Sequence, residues 1–152
     1  MKNILWLNAS DNLNADELGI SMADPIWERV ESRIFRAFEF GGQVKLWDAS
    51  IGDDEKIRLH THLGMESHPG ECRLIYSPQK ELGGRSKIRE WWEPGDEPFR
   101  GTTNFLDHEW DDRTVCRDVS VALAMFRDFY EHHDLTETSL SQTRSVWDRK
   151  PR

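Results

Sequence analysis

The sequence predicts an α+β protein, an antiparallel β-meander sheet of about five strands with two main helices packed on one face. Two observations lead to this fold class. Two long segments repeat apolar residues at helical spacing, and between them lie short segments that alternate with period two, separated by breaks rich in Gly, Pro and Asp. Such strands without helices between them are typical of a meander, and helices on one face would bury both apolar stripes.

The first helix is predicted within "SMADPIWERVESRIFRAFEFGG", after a short apolar strand near the N-terminus. Asp24 is the expected N-cap and Pro25 suits the first helical position. An apolar stripe recurs at every fourth residue: Ile26, Val30, Ile34 and Phe38. The glycine pair at 41–42 is expected to end the helix.

Five segments with period-two alternation are predicted as strands: 43–50, 56–63, 71–77, 86–93 and 101–110. A second helix is predicted in "RDVSVALAMFRDFYEHHDL", with Asp118 as its cap. Its apolar side comprises Val119, Ala122, Leu123, Phe126 and Tyr130, broadened by Met125 and Phe129. Residues 136–152 are a C-terminal extension or an edge strand, and the whole chain, 1–152, is expected to form a single domain.

The charge balance limits the classes of partner. The net charge is −8, from 28 acidic against 20 basic side chains. This charge disfavours nucleic acid as a partner, and it attracts a basic protein, although solubility alone would also explain it. Two cysteines are too few for a disulfide framework and no apolar run is long enough to span a bilayer. We therefore expect a cytoplasmic protein with no membrane partner and no cofactor.

The stretch "RLHTHLGMESHPGEC" carries a possible metal site, because His60, His62, His68 and Cys72 all belong to residue types that bind zinc. If His62 pairs with Cys72 across the hairpin, these two and His60 share one face. A register slipped by one residue instead gathers Cys72 on an apolar face with Ile57, Leu59, Leu63, Leu74 and Tyr76. Burial favours the slipped register. We expect Cys72 in the core and the two strand histidines together on the opposite face, with a metal site at His60, His62 and His68 as the alternative.

A second cluster, "DHEWDD", combines carboxylates with a tryptophan. Three interpretations of this cluster are open: a solvated loop, an acidic docking patch, or a metal or acid–base site with His108. Residues 53–55 form a second, shorter acidic cluster in a turn. Trp91 and Trp92 adjoin in a predicted strand, so one should enter the core while the other faces outward or lies under a loop. Aromatic side chains among charges are typical of interface anchors. The candidate partner-binding residues are Asp107, Glu109, Trp110, Asp111, Asp112 and Trp91.

Cys116 lies before the second helix, close to Arg113 and Arg117. It is either a small buried residue or a thiol whose pKa the neighbouring positive charge lowers.

The segment "FLDHEWDDRTVCRDVSVALAMFRDFYEHHDL" followed by "SVWD" resembles bacterial immunity proteins of polymorphic and contact-dependent toxin systems, the Imm1-like group among them. The resemblance implies a cytoplasmic protein that binds a cognate toxin and blocks it without catalysis, and it transfers no site residues. We therefore expect a non-catalytic protein-binding inhibitor whose partner is a basic toxin domain. A small metal-dependent enzyme and a structural subunit of a larger assembly are the alternatives, and the oligomeric state is left open.

Overall fold

The computed structural model describes residues 1–13, 19–78, 87–106 and 108–148. These residues form an α+β fold, as predicted, with more strands than expected. A seven-stranded antiparallel sheet has the order β2-β1-β3-β4-β5-β6-β9, and β7 and β8 form a separate two-stranded hairpin. The strands are β1 (Lys2–Asp11), β2 (Ile20–Ala23), β3 (Gly42–Ile51), β4 (Ile57–His68), β5 (Glu71–Ser77), β6 (Arg89–Trp91), β7 (Thr102–Phe105), β8 (His108–Asp111) and β9 (Thr143–Ser145).

Two long helices, α1 (Trp27–Phe40) and α2 (Val119–His132), pack against the same face of the large sheet. We call it the first face. A shorter helix, α3 (Glu137–Leu140), leads into β9, the edge strand that the sequence offered as one alternative for its C-terminal residues. None of the helices in the described ranges has both the length and the apolar composition needed to cross a bilayer.

The start of α1 differs from the prediction. Ile26 is the N-cap, without a side-chain hydrogen bond, and is 65% exposed rather than part of the buried stripe. Asp24 instead has a left-handed backbone (φ 52°) and donates its N–H to the carbonyl of Leu5 at 2.7 Å. It therefore stabilises the turn that follows β2. The predicted end is confirmed, because Gly41 is the C-cap with φ 86°.

Asp118 is confirmed as the cap of α2, where its carboxylate accepts the Ser120 N–H at 2.9 Å. The buried side of α2 is rotated from the predicted stripe. Met125 and Phe129, expected only to broaden it, are fully buried, whereas Val119 and Tyr130 are partly buried at its margin. The core between sheet and helices is therefore richer in sulfur and aromatic side chains than the stripe suggested.

Two strand predictions need correction. Segment 101–110 forms two short strands, β7 and β8, because the chain turns at Leu106, where φ is 47°. Near the N-terminus the chain forms a ten-residue strand that pairs with both β2 and β3, where only a short strand was expected.

A β-bulge in β4 determines which face of the sheet Leu59 and Ile57 occupy. Trp47 pairs with His62 and Ala49 pairs with Leu59, so Asp48 faces two residues, His60 and Thr61. One extra residue reverses the inside–outside alternation of a strand. Leu63 therefore stays in the core while Leu59 lies on the other face of the sheet, 45% exposed. The predicted burial of Leu59 and Ile57 with Leu63 is wrong for this reason.

Candidate protein-binding site

The three candidate metal-binding histidines lie in different environments. The bulge turns His60 to the first face, where its Nε2 lies 2.8 Å from the Ser50 hydroxyl. His62 lies on the opposite face, and His68 stacks on the ring of Phe105 with centroids 4.3 Å apart. Among the described residues no three His, Cys, Asp or Glu side chains are grouped as metal ligands. Both the shared face of the strand histidines and the alternative metal site that they would form with His68 are therefore wrong.

The register of β4 and β5 decides the position of Cys72. Cys72 pairs with Ser67, and Leu74, two residues further along β5, pairs with Met65. Cys72 is fully buried in the core. The predicted placement of Cys72 in the core, on the face opposite His62, is confirmed. The predicted pairing is wrong, because β4 continues to His68 and Cys72 therefore lies opposite Ser67, not one residue from His62.

The face opposite the helices, here the second face, is divided into two halves. The covered half lies on β5 and β6 beneath the β7–β8 hairpin. There Arg73 and Glu90 form an ion pair of 2.6 Å, with both side chains about 98% buried or more. The ring of Trp110 covers the guanidinium of Arg73 at 3.6 Å. Burial lowers the pKa of Arg73 to about 10, so the guanidinium remains protonated at neutral pH and Glu90 supplies its counter-charge.

Ion pairs within the chain neutralise two carboxylates of the "DHEWDD" cluster, Asp111 and Asp112. Asp111 is buried and accepts two hydrogen bonds from the Arg113 guanidinium, at 3.0 and 2.8 Å. Asp112 accepts from Arg100 at 2.6 Å and from Arg117 at 2.7 Å. These hydrogen bonds, that of Arg117 foremost, hold the pKa of Asp112 well below its usual range. Both carboxylates anchor the hairpin segment and are not a free acidic surface.

The remaining candidates have different surroundings. Glu109 is exposed and Trp110 half-buried, so a role for them in binding stays a prediction; Asp107 lies outside the described residues. Trp91 belongs to the core, 5% exposed. Of the two alternatives for its neighbour, the outward one is wrong, because Trp92 is buried as well, with the guanidinium of Arg144 4.4 Å from its ring centre.

The open half of the second face lies on β1, β3 and β4. Residues paired across adjacent strands share a face. One cross-strand row contains Trp6, Trp47 and His62; the next contains Ile4, Ala49 and Leu59; the last pairs Ile51 with Ile57. We call Trp6, Trp47, Ile57, Leu59 and His62 the aromatic–aliphatic patch.

The patch is ordered and accessible. The ring centroids of Trp47 and His62 lie 4.1 Å apart, and the Trp47 Nε1–H donates a hydrogen bond to Asn8 Oδ1 at 3.0 Å. Ile57 and Leu59 are 42% and 45% exposed, and the two tryptophans are half-buried. Large contiguous apolar patches are uncommon on monomeric proteins and mark interaction sites. A cleft of about 410 Å³ adjoins the patch, lined in part by Asn8, Lys45 and Trp47.

His62 gives the patch a polar group without a charge. Burial, and secondarily the nearby ammonium of Lys45, lowers the pKa of His62 to about 4. The ring is therefore neutral at pH 7. Its Nδ1 is buried and makes no hydrogen bond with any described residue. A partner that covers the patch meets a neutral aromatic surface, while the unpaired ring nitrogen is itself buried.

Comparisons with known proteins extend the fold description only. No family model and no curated protein matches the chain. The chain is similar in structure to the crystal structure of a hypothetical protein from Neisseria gonorrhoeae, with a TM-score of 0.62 and 11% sequence identity. The match covers 90% of this chain and 92% of that one. The likeness spans nearly the whole of both chains and at this identity shows a shared fold.

Proposed function

We propose that this chain is a non-catalytic protein-binding inhibitor, a cytoplasmic immunity protein that neutralises a cognate bacterial toxin domain. The observation that carries the proposal is the aromatic–aliphatic patch, where Leu59 and Ile57 are 45% and 42% exposed beside the half-buried Trp6 and Trp47. Tryptophan is among the residues that most often dominate the binding energy of protein interfaces, and an exposed apolar patch around it marks an interaction site. The patch replaces the acidic loop as the main contact surface.

Charge contributes to the rate of association more than to the contact itself. The net charge of −8 favours encounter with a basic domain. Residues 53–55 form an exposed acidic turn beside the patch, but Lys56 and Arg58 follow it, and Arg58 pairs with Asp54 at 2.9 Å. The turn therefore leaves one net negative charge at the rim. A toxin domain with an apolar centre and a basic surround fits this arrangement.

The test pairs the protein with the C-terminal domain of a large secreted protein encoded beside its gene. We expect co-expression to restore the growth that this domain alone suppresses, and the purified proteins to form a complex. Leu59→Glu should weaken the complex at least about tenfold, because it places a charge in the centre of the interface. Phe35→Glu is the matched control, since Phe35 is also 45% exposed but lies on α1.

Two results would contradict the proposal. If no neighbouring toxin domain binds the chain or loses its toxicity, the function is wrong. If the complex forms but tolerates Leu59→Glu and fails with Phe35→Glu, the toxin binds elsewhere. A stable homodimer of the free protein that buries the patch, seen by solution mass and lost in Leu59→Glu, would favour the alternative of a structural subunit.

A further inference from the structure

Cys72 and Cys116 face each other across an isolated antiparallel bridge. Each donates its N–H to the carbonyl of the other at 2.8 Å. Residues paired in this way have Cα atoms about 5.5 Å apart, within the roughly 4.4 to 6.8 Å that a disulfide spans. The bridge joins the start of β5 to the segment between the β7–β8 hairpin and α2.

Both side chains belong to the same buried core cluster, and both are thiols in the structure. Cβ atoms of directly opposite residues lie about 4.5 to 5.5 Å apart, against about 3.8 Å in a disulfide. A small approach of the two segments is enough to form the bond. Cys72 and Cys116 are 0% and 1% exposed, and the two residues that follow Cys116 in the chain, Arg117 and Asp118, are exposed.

The two thiols differ in acidity. The pKa of Cys72 is raised, first by its hydrogen bond with the Cys116 thiol and then by burial. The same hydrogen bond lowers the pKa of Cys116. Because the thiolate is the reactive form, Cys116 is the attacking residue and Cys72 the resolving one.

We propose that Cys72 and Cys116 are a redox-modification site that hydrogen peroxide converts into an intramolecular disulfide. The Cys116 thiolate attacks one peroxide oxygen, the O–O bond breaks, and the departing hydroxide takes a proton to become water. Cys72 then attacks the sulfur of the resulting sulfenic acid, forming the S–S bond and releasing a second water as the Cys72 proton joins the departing hydroxide. Two thiols lose two electrons in total and the peroxide gains them.

The bond would fix the hairpin in place independently of any toxin partner. The loop between the two cysteines contains β6 and the whole β7–β8 hairpin, which covers Arg73 and Glu90. A cross-link there restricts the unfolded chain and should raise the melting temperature. The site therefore links the oxidation state of the protein to the stability of the covered half.

The experiment treats the native full-length chain with hydrogen peroxide, removes the peroxide with catalase, and alkylates the unfolded protein. We expect the intact mass to fall by two hydrogen atoms, no thiol to be alkylated, and a cross-linked peptide to join Cys72 to Cys116. The melting temperature should rise and return to its starting value with dithiothreitol. In Cys72→Ala, dimedone should trap a sulfenic acid at Cys116.

The proposal is overturned if the native chain resists peroxide at a dose that oxidises the chain unfolded in urea. It is also overturned if the bond joins two chains, or if the cross-linked protein melts no higher than the reduced one. The measurements on the wild-type chain decide the matter even if the alanine variant fails to fold. If dimedone instead marks Cys72 in Cys116→Ala faster than Cys116 in Cys72→Ala, the assignment of the attacking thiol is wrong.

Discussion

The two halves of the second face reverse the usual relation between burial and polarity. In the covered half, an arginine and a glutamate are buried as a pair beneath Trp110. In the open half, Leu59 and Ile57 lie in solvent. A solvent-facing sheet surface is normally polar and a buried one apolar. The hairpin covers one half, whereas Ile57 and Leu59 in the other half stay exposed among the residues that the structure describes, which supports the proposal that a partner binds there.

The covered half should respond most strongly to mutation. Glu90→Leu should cost about 3 to 5 kcal/mol of unfolding free energy, because Arg73 would stay charged and buried without its counter-ion. Urea denaturation would measure it, with Glu109→Leu as the exposed control on β8. Replacing both partners by apolar residues should recover most of the loss. A small effect of Glu90→Leu would mean that the hairpin does not exclude water.

The bulge can be tested by comparing two leucines of β4. Leu63→Ala should cost about 2 to 5 kcal/mol because Leu63 is fully buried. Leu59→Ala should cost less than about 1 kcal/mol, since 45% of that side chain is already exposed. The two values come from the same urea experiment. Equal losses of unfolding free energy at both sites would mean that Leu59 is buried like Leu63. In that case β4 would alternate without a bulge and the patch would not exist.

The pH dependence of stability should reveal His62. Its folded pKa of about 4 lies below the unfolded value of 6.5, so the unfolded chain binds the proton more readily. The contribution of neutral His62 to the unfolding free energy is present above pH 6.5 and is lost as the pH falls towards 4. The loss should be about 1 to 2 kcal/mol after allowance for partial exposure. Denaturation curves of His62→Gln should lack this loss, whereas the control His132→Gln at an exposed site should keep it. A wild-type slope unchanged by His62→Gln would contradict the assignment.

A modest effect is expected at the attachment of the hairpin. Asp112→Asn removes the charge that Arg100 and Arg117 share, and should cost about 1 kcal/mol. Amide hydrogen exchange should become faster in residues 102–111 and stay unchanged in β3. Glu109→Gln is the control. Faster exchange across the patch strands as well would mean that the two halves are not independent.

The fold class followed from the sequence because helical stripes and turn residues are local signals. Asp118 and Gly41 took their predicted roles since capping depends on immediate neighbours. The face of Cys72 was also predictable, although its pairing partner was not, because burial distinguishes the two faces strongly. These successes all depend on patterns within about ten residues.

The candidate site was less predictable, because a single bulge and distant arginines determine it. Nothing in "KIRLHTHL" marks the extra residue at His60 and Thr61, so alternation assigned Leu59 to the core. The cluster "DHEWDD" appeared acidic because its partners Arg100 and Arg117 lie outside it in sequence. One local signal for the open half is Trp47, which alternates with Val44 and Leu46 in the sequence and therefore lies on the opposite face of β3.

Hydroxyl-radical footprinting of the toxin complex tests the central claim most directly. Side-chain oxidation is compared between the free protein and the complex for the patch residues Trp47, Ile57 and Leu59 and for Trp110 and Glu109 of the hairpin. We predict strong protection of the patch and little change at the hairpin. Protection of the hairpin with unchanged oxidation of Leu59 would contradict the assignment of the open half as the binding surface.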